Sequence, residues 1–448
     1  MNYEVQSGKL LRAVYSGRQL EEVLTDFWFN HFNVFIGKGA DRYMVTSYDR
    51  DVIRPHVLGK FKDLLVATAQ SPAMLFYLDN WQSEGPDSEA ATGRPQQAFP
   101  QAGQRRWGNR PFGPRPAAFP GPGRLPQPPK TGTNQGQQKR RNGLNENYAR
   151  ELMELHTLGV SGGYTQKDVT EVARVFTGWT LQDPREGGGF VFKPKLHEPG
   201  PKTVLGHQIK ENGDKEGLEV LDILAHRPST AHFISLKLAQ RFVSDDPLPA
   251  LVNLMAKTFL KTDGDLREVM RTMFRSQEFW APEAYRAKVK TPFEYIVSAI
   301  RATQTDVTET QRLLNTLNSM GMGLYAMQPP TGYSTNSDAW VNSAALLDRM
   351  NFAMALVNNK IAGAQFDPTP RLQLPSASDA MAQPVDPYAD QVRLEQTLLS
   401  EDISPQTHQT IEQALAKMGS SVGQTANHPP SSNPAVALLL GSPEFQRR

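Results

Sequence analysis

A chain of 448 residues, 39% of them hydrophobic, with a net charge of +2, is long enough to bury one large core or two ordinary ones. It contains no cysteine, which excludes disulfides, thiolate metal sites and cysteine nucleophiles together. No apolar run reaches the roughly 18 to 20 residues that span a bilayer, and the start, MNYEVQSGKLLRAVYSG, lacks the hydrophobic segment of a signal peptide.

The first elements read as helices. Ser16 with Gln19 forms a capping box ahead of Leu20, Val23, Leu24, Phe27, Trp28 and His31, which recur at helical spacing. Val57, Leu58, Phe61, Leu64 and Leu65 make a second stripe, and Ser71-Pro72 opens a third helix ending near Asp79. From Gln82 to Asn142 the period disappears into Pro, Gly, Gln and Arg. Such composition buries too little apolar surface to offset ordering entropy, so a disordered insertion is expected. Residues 94 to 141 hold eight Arg, two Lys and no acid, which leaves the rest of the chain at −8. With Trp107, Phe112 and Phe119 interleaved, this segment has the makings of a contact for nucleic acid or another acidic polymer; a solvated loop is the plainer reading.

After the insertion, Asn145 caps a helix expected over 146–158, with Gly159 just beyond it. At about 100° per residue, His156 joins Tyr148, Ala149, Leu152, Met153 and Leu155 on the apolar side. Glu146, Arg150 and Glu154 form a ladder on the other side, with Glu151 beside it. Thr165 and Asp168 cap a helix carrying Val169, Val172, Ala173 and Phe176 that Gly178 stops. Residues 190–207, FVFKPKLHEPGPKTVLGH, read as one β-hairpin. Further helices start at Ser229, Asp265 and Thr291, and a long one runs from Ser337 to Asn358. A helix from Ser404 to Met418 stands inside a variable Pro/Ser/Gln-rich region, and NPAVALLLG forms the last. The expected fold is mostly α. Segments 1–81, 143–360 and 431–448 build a helical core with one small hairpin, interrupted by 82–142 and 361–430.

Chemistry-bearing residues gather in three places. His31, with Asn30, continues the apolar stripe of its own helix; Glu151, Glu154 and His156 share another; His197, Glu198 and Lys202 occupy the HEPGPK turn. If these places converge, His31, His156 or His197 serves as base, Glu151 or Glu154 supplies a carboxylate, and Asn30, Asn145, Arg150 and Lys202 bind an anionic substrate. A divalent metal is the candidate cofactor, with His31, His156, His197 and Glu198 as ligands by residue type alone. No HExxH, di-iron Glu-x-x-His, P-loop or GxSxG motif occurs, and KTDGD at Lys261 to Asp265 lacks the later ligands of a calcium loop. The plain alternative is that these residues form buried hydrogen-bonded networks in a non-catalytic scaffold.

FWFNHFNVF, RPHVLGKFKDLLVATAQSPAMLFYLDN, NENYARELMELHTLGV, HEPGPKTVLG, FISLKLAQRFV, KTPFEYIVSAIRA and PPTGYSTNSDAW together resemble the bacterial "domain of unknown function 1800" family. The resemblance implies a predominantly helical, exported protein of the periplasm or cell exterior, with no settled activity. It also implies a partner from the sulfatase- and phosphatase-like "domain of unknown function 1501" family, whose genes often lie nearby. The chain departs from the pattern in beginning just upstream of FWFNHF, as a truncated or internally initiated product would. It also carries the basic insertion, and has Glu198 where the family commonly places an aspartate.

Overall fold

The computed structural model describes residues 2–93, 143–182, 188–367, 387–400, 402–422 and 433–448. Its first helices are α1 (Asn2–Tyr15), α2 (Gln19–His31), α3 (Asp41–Ser47), α4 (Phe61–Ala69), α5 (Pro72–Tyr77) and α6 (Glu89–Thr92). The middle of the chain contributes α7 (Glu146–Glu154), α8 (Gln166–Val175), α9 (Asp214–Ala225), α10 (Pro228–Phe242), α11 (Pro249–Lys261), α12 (Leu266–Arg275), α13 (Pro292–Thr303), α14 (Gln311–Ser319) and α15 (Ser343–Val357). The last are α16 (Pro387–Leu399), α17 (Pro405–Val422), α18 (Asn433–Gly441) and α19 (Pro443–Gln446). Among the described residues no helix is long and apolar enough to cross a membrane.

The caps read from sequence hold at Thr165, Asp265 and Thr291, each accepting a hydrogen bond from the backbone three residues on. Satisfying such an orphan donor stabilises a helix by about 1 kcal/mol. Ser16 behaves differently: α2 starts at Gln19 after Arg18, and Ser16 Oγ accepts from the Arg18 N–H instead. The helix expected over 146–158 ends at Glu154. Its last turn widens as the His156 and Leu158 N–H groups reach back five residues to Glu151 and Met153, while Thr157 Oγ1 donates to the Leu152 carbonyl. The long helix expected from Ser337 is interrupted: Ser337–Trp340 is a 3₁₀ turn, and Asn342 caps α15.

In place of one hairpin there are three two-stranded antiparallel sheets among the described residues. The strands are β1 (Trp179–Leu181), β2 (Phe190–Phe192), β3 (Lys202–Val204), β4 (His207–Ile209), β5 (Asp306–Val307) and β6 (Ala364–Gln365). β1 pairs with β2, β3 with β4 and β5 with β6, so HEPGPK links two sheets rather than tipping a hairpin. β3 and β4 turn at Leu205-Gly206, both at positive φ, as a two-residue hairpin loop of the I′ type requires.

Residues 83–93, expected within the insertion, belong to the fold: Ser83, Glu84 and Ser88 are buried and the Gly85 N–H donates to the Leu196 carbonyl. The remainder of the expected insertion, 94–142, lies outside the described residues, as do 368–386, 401 and 423–430 of the variable region. The core is one hydrophobic cluster running from α1 to Phe445. At the end of the chain, Arg448 Nε lies 2.8 Å from Glu294 Oε1 and Arg241 Nη1 2.7 Å from the same oxygen. Burial alone would raise this carboxyl; the two guanidiniums and the Thr291 donors outweigh it and hold it near 2. These pairs tie α10, α13 and the C-terminus together.

Candidate functional site

Four of the motif segments meet around one hollow of about 470 Å³, within the usual range for small-molecule pockets. α2 contributes Phe27, Asn30 and His31; the end of α7 contributes Leu155; α10 contributes Phe233, Lys237 and Gln240. Residues 330–336 lie across them as a strap. The strap is held by α2, and the residues leading into it by Asn33, just past α2, and by α5. Asn30 Nδ2 donates to the Tyr333 carbonyl (2.9 Å) while its Oδ1 accepts from the Tyr333 N–H (2.7 Å). Asn33 Nδ2 donates to the carbonyls of Met327 and Pro329, and Tyr77 Oη to that of Gln328. Asn30, expected to bind substrate, therefore uses both ends of its amide to position the strap.

The structure brings His31 and His156 together, with ring centroids 6.4 Å apart. His31 Nε2 lies 3.1 Å from the His156 carbonyl oxygen. A carbonyl can only accept, so Nε2 carries the proton and Nδ1 is left as the acceptor nitrogen of a neutral ring. Burial drives the His31 pKa down to about 3, with nearby Lys237 adding to the effect against the His156 carbonyl. His156 is almost fully enclosed, packed 5.0 Å from the Phe32 ring, and burial then His31 hold it near 3 as well. His31 lines the hollow; His156 stands behind it and supports it.

Lys237 was not singled out by the sequence. It lies one turn after Phe233 with its ammonium 5.5 Å from that ring, and burial lowers its pKa. Among the described residues it is the one charged side chain lining the hollow, and no Asp or Glu among them does so. One turn on along α10, Arg241 is buried and ion-paired to Glu294. Gln240, Thr331 and Asn336 also line the hollow with side chains that hydrogen-bond to no described residue, and Thr331 and Asn336 are exposed.

His197 belongs to a second cluster, sealed from solvent. Lys202 Nζ donates to the Glu198 carbonyl (2.6 Å), to Glu216 Oε2 (2.8 Å) and to His197 Nε2 (3.2 Å). Those three acceptors use all three ammonium protons. His197 Nδ1 donates to the Thr177 carbonyl at 2.9 Å, which makes Nε2 the lone-pair nitrogen that Lys202 needs. Glu216 Oε1 accepts from the Asn212 and Gly213 N–H groups. Burial opposes its ionisation, but the Lys202 ammonium and these backbone donors keep its pKa near 2. Glu198 accepts from the Asp87 N–H and sits 3.6 Å from Arg174. The HEPGPK turn is thus a buried lock between α8, α9 and residues 85–88, and Lys202, expected to bind substrate, is fully enclosed.

The other candidates disperse. Asn145 caps α7 and donates to the Leu78 carbonyl. Arg150 pairs with Glu154 (3.5 Å) and donates to Gln166, and Glu154 accepts from Tyr164. Glu151 lies one turn before Leu155 on the same face of α7; burial, then Glu154, raises its pKa. The expected metal ligands His31, His156, His197 and Glu198 fall into two clusters rather than one. Among the described residues no group of three or more His, Asp or Glu is arranged to hold an ion. The four expected ligands are therefore not brought together as one donor set.

The chain belongs to the family described as "Protein of unknown function (DUF1800)", whose model matches residues 1–447. No curated protein and no solved structure matches it.

Proposed function

We propose that this member of the DUF1800 family is an enzyme of the hydrolytic or group-transfer type, acting on a substrate whose anionic group sits against Lys237. The observation that carries the reading is the pairing of His31 and Lys237 in one hollow. A neutral imidazole with its Nδ1 lone pair free of the His156 bond shares a wall with an ammonium that no described carboxylate neutralises. In the reaction, His31 Nδ1 takes the proton from water or a substrate hydroxyl as that oxygen bonds to the acyl or glycosyl carbon; the bond from that carbon to the leaving oxygen breaks, the imidazolium returns the proton to the leaving oxygen, and Lys237 holds the anionic group in place. A conjugate acid near 3 makes a weak base at neutral pH. A bound anion beside the ring favours the imidazolium and moves His31 toward the useful range.

Hydrolysis of a panel of carboxylate-bearing aryl esters and glycosides by the full chain tests this. His31→Gln is expected to lower kcat by about 10² to 10⁴, the usual contribution of a general base, with little change in KM. Lys237→Met is expected to raise KM. Anion binding without turnover of any substrate would make the hollow a recognition site alone. The basic stretch 94–141 is proposed to add salt-dependent attraction toward an acidic polymer.

A further inference from the structure

Resting on that reading, we infer the substrate class of the hollow: a polyhydroxylated monocarboxylate, namely a sugar acid such as a uronic acid unit of an acidic glycan.

The charge argues for a carboxylate. One ammonium balances one negative charge, and among the described residues no arginine fork lines the hollow to grip a phosphate bidentately. The N-terminus of α10, the element that carries Lys237, begins at Pro228, nine residues earlier. At 1.5 Å per residue that is roughly 13 Å away, too far for its N–H groups to share an anion with Lys237. The rest of the lining argues for a sugar. Gln240, Thr331 and Asn336 present amide and hydroxyl groups with no described partner, the complement of several ring hydroxyls. His31 Nδ1 accepts from a hydroxyl and cannot donate to one. Phe233 and Tyr333, both half-buried, stand in the walls contributed by α10 and the strap, offering apolar surface to the C–H faces of a pyranose. A purely apolar acid would leave Gln240, the half-buried amide of the three, unmatched; a neutral sugar would leave Lys237 without a counter-charge.

Calorimetric titration of the full chain with trigalacturonate, its methyl ester and galactose 6-phosphate tests the assignment. Trigalacturonate is expected to bind at least about tenfold more tightly than the ester, the worth of one charge-assisted contact. Lys237→Met should erase that difference while Lys237→Arg retains most of it, each variant checked by circular dichroism. Gln240→Ala with Asn336→Ala should weaken acid and ester alike. Tighter binding of the sugar phosphate, abolished by Lys237→Met, would overturn the substrate class and leave the anion site standing. Trigalacturonate binding that Lys237→Met does not alter would overturn the assignment to this hollow. Binding of none of the anions would overturn both.

Discussion

A Cβ on Gly332 would lie 2.3 Å from the Asn30 carbonyl oxygen and 2.6 Å from its Oδ1, and Gly332 holds φ at +70°. The strap therefore approaches α2 more closely than any side chain permits, in a conformation that glycine adopts without cost. Gly332→Ala is expected to lift the strap from Asn30 and widen the hollow. Because the core does not depend on that contact, the variant should fold with a melting temperature within a few degrees of the parent while losing ligand binding by an order of magnitude or more. Asn30→Ala, which removes both bonds to Tyr333, should produce the same phenotype.

Lys202→Met is expected to do the opposite: large loss of stability, no specific effect on the hollow. It leaves Glu216 buried and ionised with no cation beside it, and breaking a sealed pair from one side costs about 3–5 kcal/mol. Chemical denaturation of the variant measures this. A loss below about 1 kcal/mol would mean that the HEPGPK lock is not the structural element described above.

Asp41 is fully enclosed with both carboxylate oxygens unpartnered among the described residues. Burial raises its pKa to about 8, Lys38 pulling it down and Asp79 pushing it further up. The folded state thus keeps a proton that the unfolded chain releases above about 4. The stabilising contribution is complete below that pH and disappears as pH rises through 8. Asp41→Asn retains the neutral group at every pH. Its melting temperature should match the parent near pH 4 and exceed it by several degrees at pH 9.

Deletion of residues 94–141 removes ten positive charges. Binding to polygalacturonate should then show a shallower dependence on salt, whereas affinity for trigalacturonate in the hollow should stay unchanged. An unaltered salt slope would take the segment out of the binding account.

The helices were legible because their signals are local. Thr165 with Asp168, Asp265 with Glu268 and Thr291 with Glu294 announce themselves within four residues. The strands were not, since each is two or three residues long and Phe190–Phe192 takes its partner from Trp179–Leu181, upstream of the stretch that looked like a hairpin. That His31 points inward followed from periodicity; His156 lies past the end of α7 and is turned inward by the widened turn instead, and that the two meet each other and not His197 depends on how α2, α7 and α9 pack, which no local pattern records. Lys237 escaped notice for a similar reason. A lysine one turn from a phenylalanine on an amphipathic helix reads as a solvated face, and only the strap arriving from residues 330–336 turns that face into a wall.

Nitrogen-15 NMR of the histidine side chains tests the central claim most directly. The account predicts that His31 stays neutral with its proton on Nε2 down to at least pH 5, and that adding trigalacturonate shifts its Nδ1 resonance while leaving His197 unmoved. A His31 that titrates near 6.5, carries its proton on Nδ1, or ignores the ligand while Lys237→Met still abolishes binding would contradict it.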